Sequence, residues 1–178
     1  MLYHLTGEFS TELDELTFMH HTVKVLNELK RSPFCGKIKM LGINPRNATP
    51  SEKEKLTISQ AFLIDYLKRT ISKNSFSSHR QPIFLYYFEK EELQIEIIRF
   101  LIKYFNAIKD LLNDEWNSPK TNVLTKGIGI GALIRVLHFF FVDLFIDEWK
   151  LDPKKIKDIS KDEIKLRNQL GAKYNINI

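Results

Sequence analysis

Between residues 11 and 30, apolar side chains return every three or four positions. Leu13, Leu16, Met19 or His20, Val23, Leu26 and Leu29 therefore share one side of a helix. Thr11 followed by Asp14 is similar to a capping box at its start. Ser32-Pro33 is expected to stop it, because a proline pushes the preceding residue out of the α region. The period then changes. Ile38 and Met40 alternate with Lys37 and Lys39, which suits one short extended segment with a wet face. After the polar loop NPRNATPSEKEK, helical spacing resumes over 58–72 with Ile58, Phe62, Leu63, Leu67 and Ile71 on the inner side. The Ser-rich connection SKNSFSSHRQP marks a boundary between possible lobes 1–74 and 82–178.

A third helix is expected over 90–112, where Leu93, Ile97, Leu101, Tyr104 or Phe105, Ile108 and Leu112 hold the spacing for more than five turns. A fourth, over 130–149, is apolar on nearly all sides and therefore central. In the tail, Asp152-Pro153 supplies a cap and a first-turn proline. Ser160-x-x-Glu163 forms a further capping box, and Gly171 ends the last helix. The fold class that follows is mainly α: one helical domain over 1–178, with four to five principal helices and at most one short extended segment.

Composition narrows the class of protein without naming a chemistry. With 178 residues, 43% of them hydrophobic and thirteen of them Phe, the chain has enough apolar surface to bury a core. The net charge of +5 and the pI of about 9.2 favour an anionic partner. The excess is divided between the halves, +3 (12 basic, 9 acidic) in residues 1–89 and +2 (15 basic, 13 acidic) in residues 90–178, so no basic arm stands out. Cys35 is the only cysteine, which rules out an intrachain disulfide and a C-x-x-C motif. The first residues lack a signal-type pattern, and VLHFFFVDLFI is too short to span a bilayer, which takes about 20 apolar residues. A cytoplasmic protein without membrane contact is the expectation.

The segment LTKGIGIGALIRVL has three glycines in five residues at a helix start. Written as Gly127-x-Gly129-x-x-Ala132, it approaches the dinucleotide fingerprint. That fingerprint needs a buried strand before it and a second strand after its helix, and NSPKTNV is polar and turn-like. No Gly-Lys-Ser/Thr occurs, so a Walker A loop also fails. Close packing of an apolar helix is the stronger reading, with anion binding by backbone N–H groups beside Thr125 and Lys126 second to it.

No catalytic set emerges. His20 and His21 lie about 100° apart on a helix and do not chelate one metal; no HxxxH occurs, and Cys35 has no local base. The expected catalytic, cofactor-binding and metal-binding residues are none. Basic residues among turn formers suit phosphate contacts: Arg31, Lys37 and Lys39 around SPFCG, Arg80 in the Ser-rich connection, and Lys126 with Gly127 at the fourth helix.

Three stretches in order, VLNELKRSPFCGKIKMLG, TISQAFLIDYL and FLIKYFNAIKDLLNDEWNSPKTNVLTKGIGIGALIRVL, resemble the C-terminal part of DGQHR-domain proteins, the family that includes DndB of bacterial DNA phosphorothioation systems. Asn27, Ser32, Pro33, Phe34, Ser59, Phe105, Trp116, Lys126 and Gly129 carry the likeness, which covers about residues 23–137. The Asp-Gly-Gln-His-Arg motif itself is absent, so the likeness implies a chain that begins after the family's α/β region. It implies a non-catalytic module accessory to DNA modification or phage defence, acting through nucleic-acid or partner binding. The alternative it leaves is a protein-interaction subunit that completes a separate N-terminal α/β partner without DNA contact. Under either reading, self-association or a tight protein partner is expected, with Phe34 near the contact.

Overall fold

The computed structural model describes residues 7–42, 56–72 and 82–141. Its elements run α1 (Gly7–Glu28), β1 (Ile38–Lys39), β2 (Ile58–Ser59), α2 (Gln60–Lys68), α3 (Leu85–Phe88), a 3-10 turn (Glu91–Leu93), α4 (Gln94–Leu111), α5 (Asn113–Asn117) and α6 (Gly127–Phe140). The architecture is mainly α. Among the described residues, no helix is long and apolar enough to cross a membrane.

In α1 the buried stripe is Phe18, Met19, Thr22, Val23 and Leu26, spaced so that one face meets α2 and α4. Two expectations are corrected here. Leu16 lies on the outer side, 38% exposed, while the buried place one residue before it is taken by Glu15, whose carboxylate sits 3.8 Å from the Lys68 ammonium on α2. Thr11 lies inside the helix, which begins at Gly7, so it is no cap. The chain leaves α1 as the Ser32-Pro33 reading requires, by a turn that folds back on the helix end. The Ser32 hydroxyl oxygen accepts from the Phe34 N–H at 3.2 Å, and the Asn27 carbonyl accepts from the Gly36 N–H at 3.0 Å. Gly36 turns with φ +66°, in the left-handed region where a Cβ is unfavourable. The Asn27 side-chain oxygen then takes the Ile38 N–H at 3.0 Å and starts β1.

β1 and β2 pair in parallel, Ile38 opposite Ile58 and Lys39 opposite Ser59. The sequence pattern anticipates only the first of these; Ile58-Ser59 is a strand that leads straight into α2, where a helix start is expected. Two-residue strands give too little alternation to register as a period. Their pairing is held from outside by Gln60, whose Oε1 accepts from the Leu41 N–H at 2.6 Å and whose Nε2 lies 3.1 Å from His20 Nδ1.

α4 is the core helix. Ile97, Ile98, Phe100, Leu101, Ile102, Tyr104, Phe105, Ala107 and Ile108 are all buried, a face wide enough to meet α1 and α3 at once. With the 3-10 turn before it, helical structure covers the expected 90–112 span almost fully. The short α3 was not anticipated: Phe84 closes its start, packed on Phe100 and Phe141 at 5.6 and 5.9 Å between centroids, and its N–H bonds to the Thr70 carbonyl at 2.9 Å. The buried residues of both halves form one apolar cluster.

α6 begins at Gly127, three residues before the expected start, so the glycines are inside the helix. A Cβ on Gly129 would overlap the Val123 and Leu124 carbonyl oxygens, and one on Gly131 would come 2.6 Å from the Tyr66 ring. The Tyr104 hydroxyl donates to the Leu133 carbonyl at 2.8 Å and ties α6 to α4. The expected extension of this helix past Phe141, the tail caps at Asp152 and Ser160, and most of the loop before β2 lie outside the described residues.

Candidate anion-binding cavity

The Cys35–Lys37 turn and the Trp116–Thr125 segment line a cavity of about 690 Å³, with Thr57 also in its lining. Three separate parts of the chain build it. The first is the turn after α1, positioned by Asn27 as described. The second is Thr57, the residue before β2: its N–H bonds to the Lys37 carbonyl at 3.1 Å and its hydroxyl donates to the Thr125 carbonyl at 2.8 Å. The third runs from α5 to α6 through consecutive turns. The Ser118 carbonyl accepts from the Thr121 and Asn122 N–H groups, and the Asn122 side chain accepts from the Leu124 N–H at 3.1 Å. The Asn-Ser-Pro composition of this stretch favours such turns over a continuous helix.

Beneath the cavity lies an aromatic floor. Phe34 packs edge-on against Phe105 with centroids 4.7 Å apart and lies 5.8 Å from the Trp116 ring. All three side chains are fully buried. Five of the positions that carry the family likeness, Asn27, Ser32, Phe34, Phe105 and Trp116, thus meet around one turn and its floor. Phe34, expected near a partner contact, has no exposed surface in this chain, because the Ser32–Gly36 turn drives its ring inward onto α4.

The polar groups at the cavity are unusual for a buried place. Thr125 is 1% exposed and Trp116 is 0% exposed, yet neither Thr125 Oγ1 nor Trp116 Nε1 has a hydrogen-bond partner among the described residues. Leaving one such donor unmet costs about 1–3 kcal/mol. Lys37 reaches over the Trp116 ring, its ammonium 5.4 Å from the centroid. It is half-buried and has no carboxylate partner among the described residues. Burial lowers its pKa first, and the neighbouring Lys109 ammonium lowers it further. Lys120 lines the same space, and among the described residues the lining contains no carboxylate and no imidazole. The described lining is therefore polar with a half-buried ammonium, which suits an oxyanion.

Of the residues singled out from sequence, Lys37 lies in the cavity. Lys39 is exposed on β1, and Arg31 is exposed in the turn after α1, where its carbonyl accepts from the Asn106 side chain at 3.1 Å. Lys126 is exposed at the cap position of α6, adjacent to Thr125. Gly127 opens that helix and meets the Phe62 ring, 3.2 Å from where a Cβ would stand. Arg80 lies outside the described residues. Sequence reasoning did not assign Thr57, Trp116 or Lys120 to a site. The one signal available was the turn-rich NSPKTN stretch directly after a tryptophan. His20 is half-buried and His21 exposed, and among the described residues no three His, Cys, Asp or Glu side chains gather as metal ligands would. No family model, curated protein or solved structure matches the chain.

Proposed function

We propose that this chain is a non-catalytic binding module that contacts nucleic acid through phosphate groups. Its setting is the cytoplasmic DNA modification or phage defence implied by the likeness to the C-terminal lobe of DGQHR-type proteins. One observation carries the reading: Lys37, half-buried and without a carboxylate partner among the described residues, lines a cavity whose described lining is polar and holds no carboxylate. Phosphate oxygens are acceptors only, so they suit a lining of this kind and neutralise Lys37. Exposed Lys39, Lys126 and Arg31 extend the positive character beyond the cavity. A lining of donors and cations favours holding an anion over moving a proton.

The test is duplex DNA binding by the full chain at several salt concentrations. Phosphate contacts release counterions, so affinity should fall linearly on a log–log plot, with a slope of about −0.9 for each phosphate neutralised. Lys37→Met should flatten that slope. DNA binding that ignores salt, or none at all, would remove the reading.

A second reading, a module that docks on a separate α/β partner, draws on a different observation. Val123 is 58% and Ile128 76% exposed, on either side of the Thr125–Lys126 junction. A Val123→Asp, Ile128→Asp double variant that binds DNA normally but loses a co-expressed partner would favour it.

A further inference from the structure

We infer that the outer face of the α2–α6 pair binds an unpaired stretch of a nucleic-acid strand, with a base stacked on the guanidinium that Arg135 holds over the Tyr66 ring. This deepens the nucleic-acid reading above: the cavity is the phosphate contact, and this second face selects unpaired strands over duplex.

The face follows from how the two helices pack. A Cβ on Gly127 would stand 3.2 Å from the Phe62 ring, and one on Gly131 would stand 2.6 Å from the Tyr66 ring. A step of one turn along α2 thus matches a step of one turn along α6 in the same direction, so the two helices lie side by side and parallel. The two rings also meet each other, with centroids 4.5 Å apart and planes at 34°. Both are only half-buried, so this aromatic ladder keeps an open side.

Two guanidinium groups gather on the ladder. Arg69 lies 4.8 Å and Arg135 5.6 Å from the Tyr66 ring centroid, both within the roughly 6 Å of a cation–π contact. Arg69 also donates to the Asp65 carboxylate at 2.8 Å, which neutralises it. Arg135 is exposed and has no carboxylate partner among the described residues. One cation on this face is therefore left uncompensated, and the Tyr66 ring restricts where its side chain goes. A guanidinium held in this way is planar and weakly hydrated, so it offers a ligand a flat surface as well as a charge.

An unpaired strand meets both properties. Its bases stack on aromatic rings and on guanidinium planes, and its phosphates bring negative charge to the same place. A duplex keeps the faces of its bases inside its own stack. A carboxylate from a protein would answer Arg135 and make no use of the rings beside it. On the same side of α6, one and two turns before Arg135, Ala132 is exposed and Ile128 is 76% exposed, an apolar surface for a sugar or a second base to cover. The face also continues from the cavity: Thr57 and Thr125, just ahead of α2 and α6, are in the cavity lining, and Arg135 lies about 12 Å along α6 from Gly127. One strand can therefore place a phosphate at Lys37 and a base at Arg135.

The experiment is fluorescence anisotropy of the full chain with three labelled probes of equal length: a short oligothymidylate, an abasic deoxyribose-phosphate strand and a duplex. The oligothymidylate should bind about fivefold or more tighter than the abasic strand, because only it has bases to stack. Arg135→Lys keeps the charge and removes the plane. It should erase that difference while leaving the abasic strand and the duplex as they were. Tyr66→Phe keeps the ring and should preserve the difference, and the exposed position of Arg135 leaves folding out of the comparison.

Equal binding of oligothymidylate and abasic strand overturns the inference, as does an Arg135→Lys chain that keeps the difference or loses both strands alike. Binding of neither strand also overturns it and leaves the face to a protein. A duplex that binds with the expected salt slope in any of these cases leaves the cavity reading standing alone. A preference for oligothymidylate that Arg135→Lys erases, in a chain whose duplex binding is absent or indifferent to salt, does the reverse.

Discussion

Gly129 and Gly131 leave no room for a methyl group between α6 and the carbonyls and rings around it, whereas four residues before Gly129 the Thr125 hydroxyl is buried with no hydrogen-bond partner among the described residues. The two places adjoin along the chain and are built in opposite ways. At the glycines, contact is so close that side chains have been removed to permit it, and the gain is packing. At the cavity, donors and a half-buried ammonium are kept where they cost stability, and apolar groups of the same shape would cost less. A protein that tolerates the second arrangement next to the first gains something by it other than folding. That contrast bears on the question the glycine stretch poses: the glycines pack the helix closely, and the proposed anion site lies beside them.

The largest effect should come from the floor that both regions share. Phe34→Ala removes a ring enclosed by Phe105 and Trp116 and should cost about 3–5 kcal/mol in urea denaturation. A loss below 1 kcal/mol would return Phe34 to the surface role expected from sequence. Next, Gly129→Ala should destabilise by about 1–3 kcal/mol or more, since the obstructing atoms are backbone carbonyls that cannot swing aside. Gly127→Ala is the internal control. Its new methyl group would press only on the Phe62 ring, and the helix propensity gained, up to about 1 kcal/mol, offsets that pressure. Equal losses at the two glycines would break the close-packing argument.

Thr125→Val should go the other way, leaving stability unchanged or raising it by up to about 1 kcal/mol while phosphate binding weakens. Stability and binding lost together would mean that the hydroxyl serves the fold.

The smallest effect concerns pH. Lys37 has its pKa lowered in the folded chain by burial and by Lys109, while in the unfolded chain it stays near the ordinary value of about 10.4. Between those two values the unfolded state binds more protons, so Lys37 contributes stability that rises with pH. Below the folded pKa its charge is a penalty. Lys37→Met should therefore stabilise the chain at neutral pH, by an amount that shrinks as pH climbs towards the unfolded value, and denaturation at stepped pH would check it. Lys126→Ala, at an exposed cap position with no side-chain capping bond, should change stability by no more than about 0.5 kcal/mol.

What the sequence revealed follows the same division. α1 and α4 were legible because long helices repeat their spacing many times, and the error at Leu16 is one of phase on a helix whose buried stripe includes Thr22 and Glu15. The start of α6 was misplaced because glycines read as a turn, while close contact with Tyr66, Val123 and Leu124 keeps them helical. The β1–β2 pair and α3 were missed because two or four residues carry no period. Of the cavity, Lys37 was singled out for phosphate contact, and Thr125 entered only beside the glycine stretch. Trp116, Lys120 and Thr57 come together from distant parts of the chain, and nothing local to any of them reports the others. Trp116 stood out only as part of a family likeness, with no hint that its N–H would lack a partner.

Where an anion goes is asked directly by NMR of the 15N-labelled full chain during titration with a short DNA duplex. The Trp116 indole N–H resonance, assigned with Trp116→Phe, should shift strongly and saturate together with the Lys37 and Thr125 amides. The Gly129 and Gly131 amides, locked in α6, should stay nearly still. Large shifts at the glycine amides with a silent Trp116 indole would contradict the account and make the glycine stretch the phosphate loop.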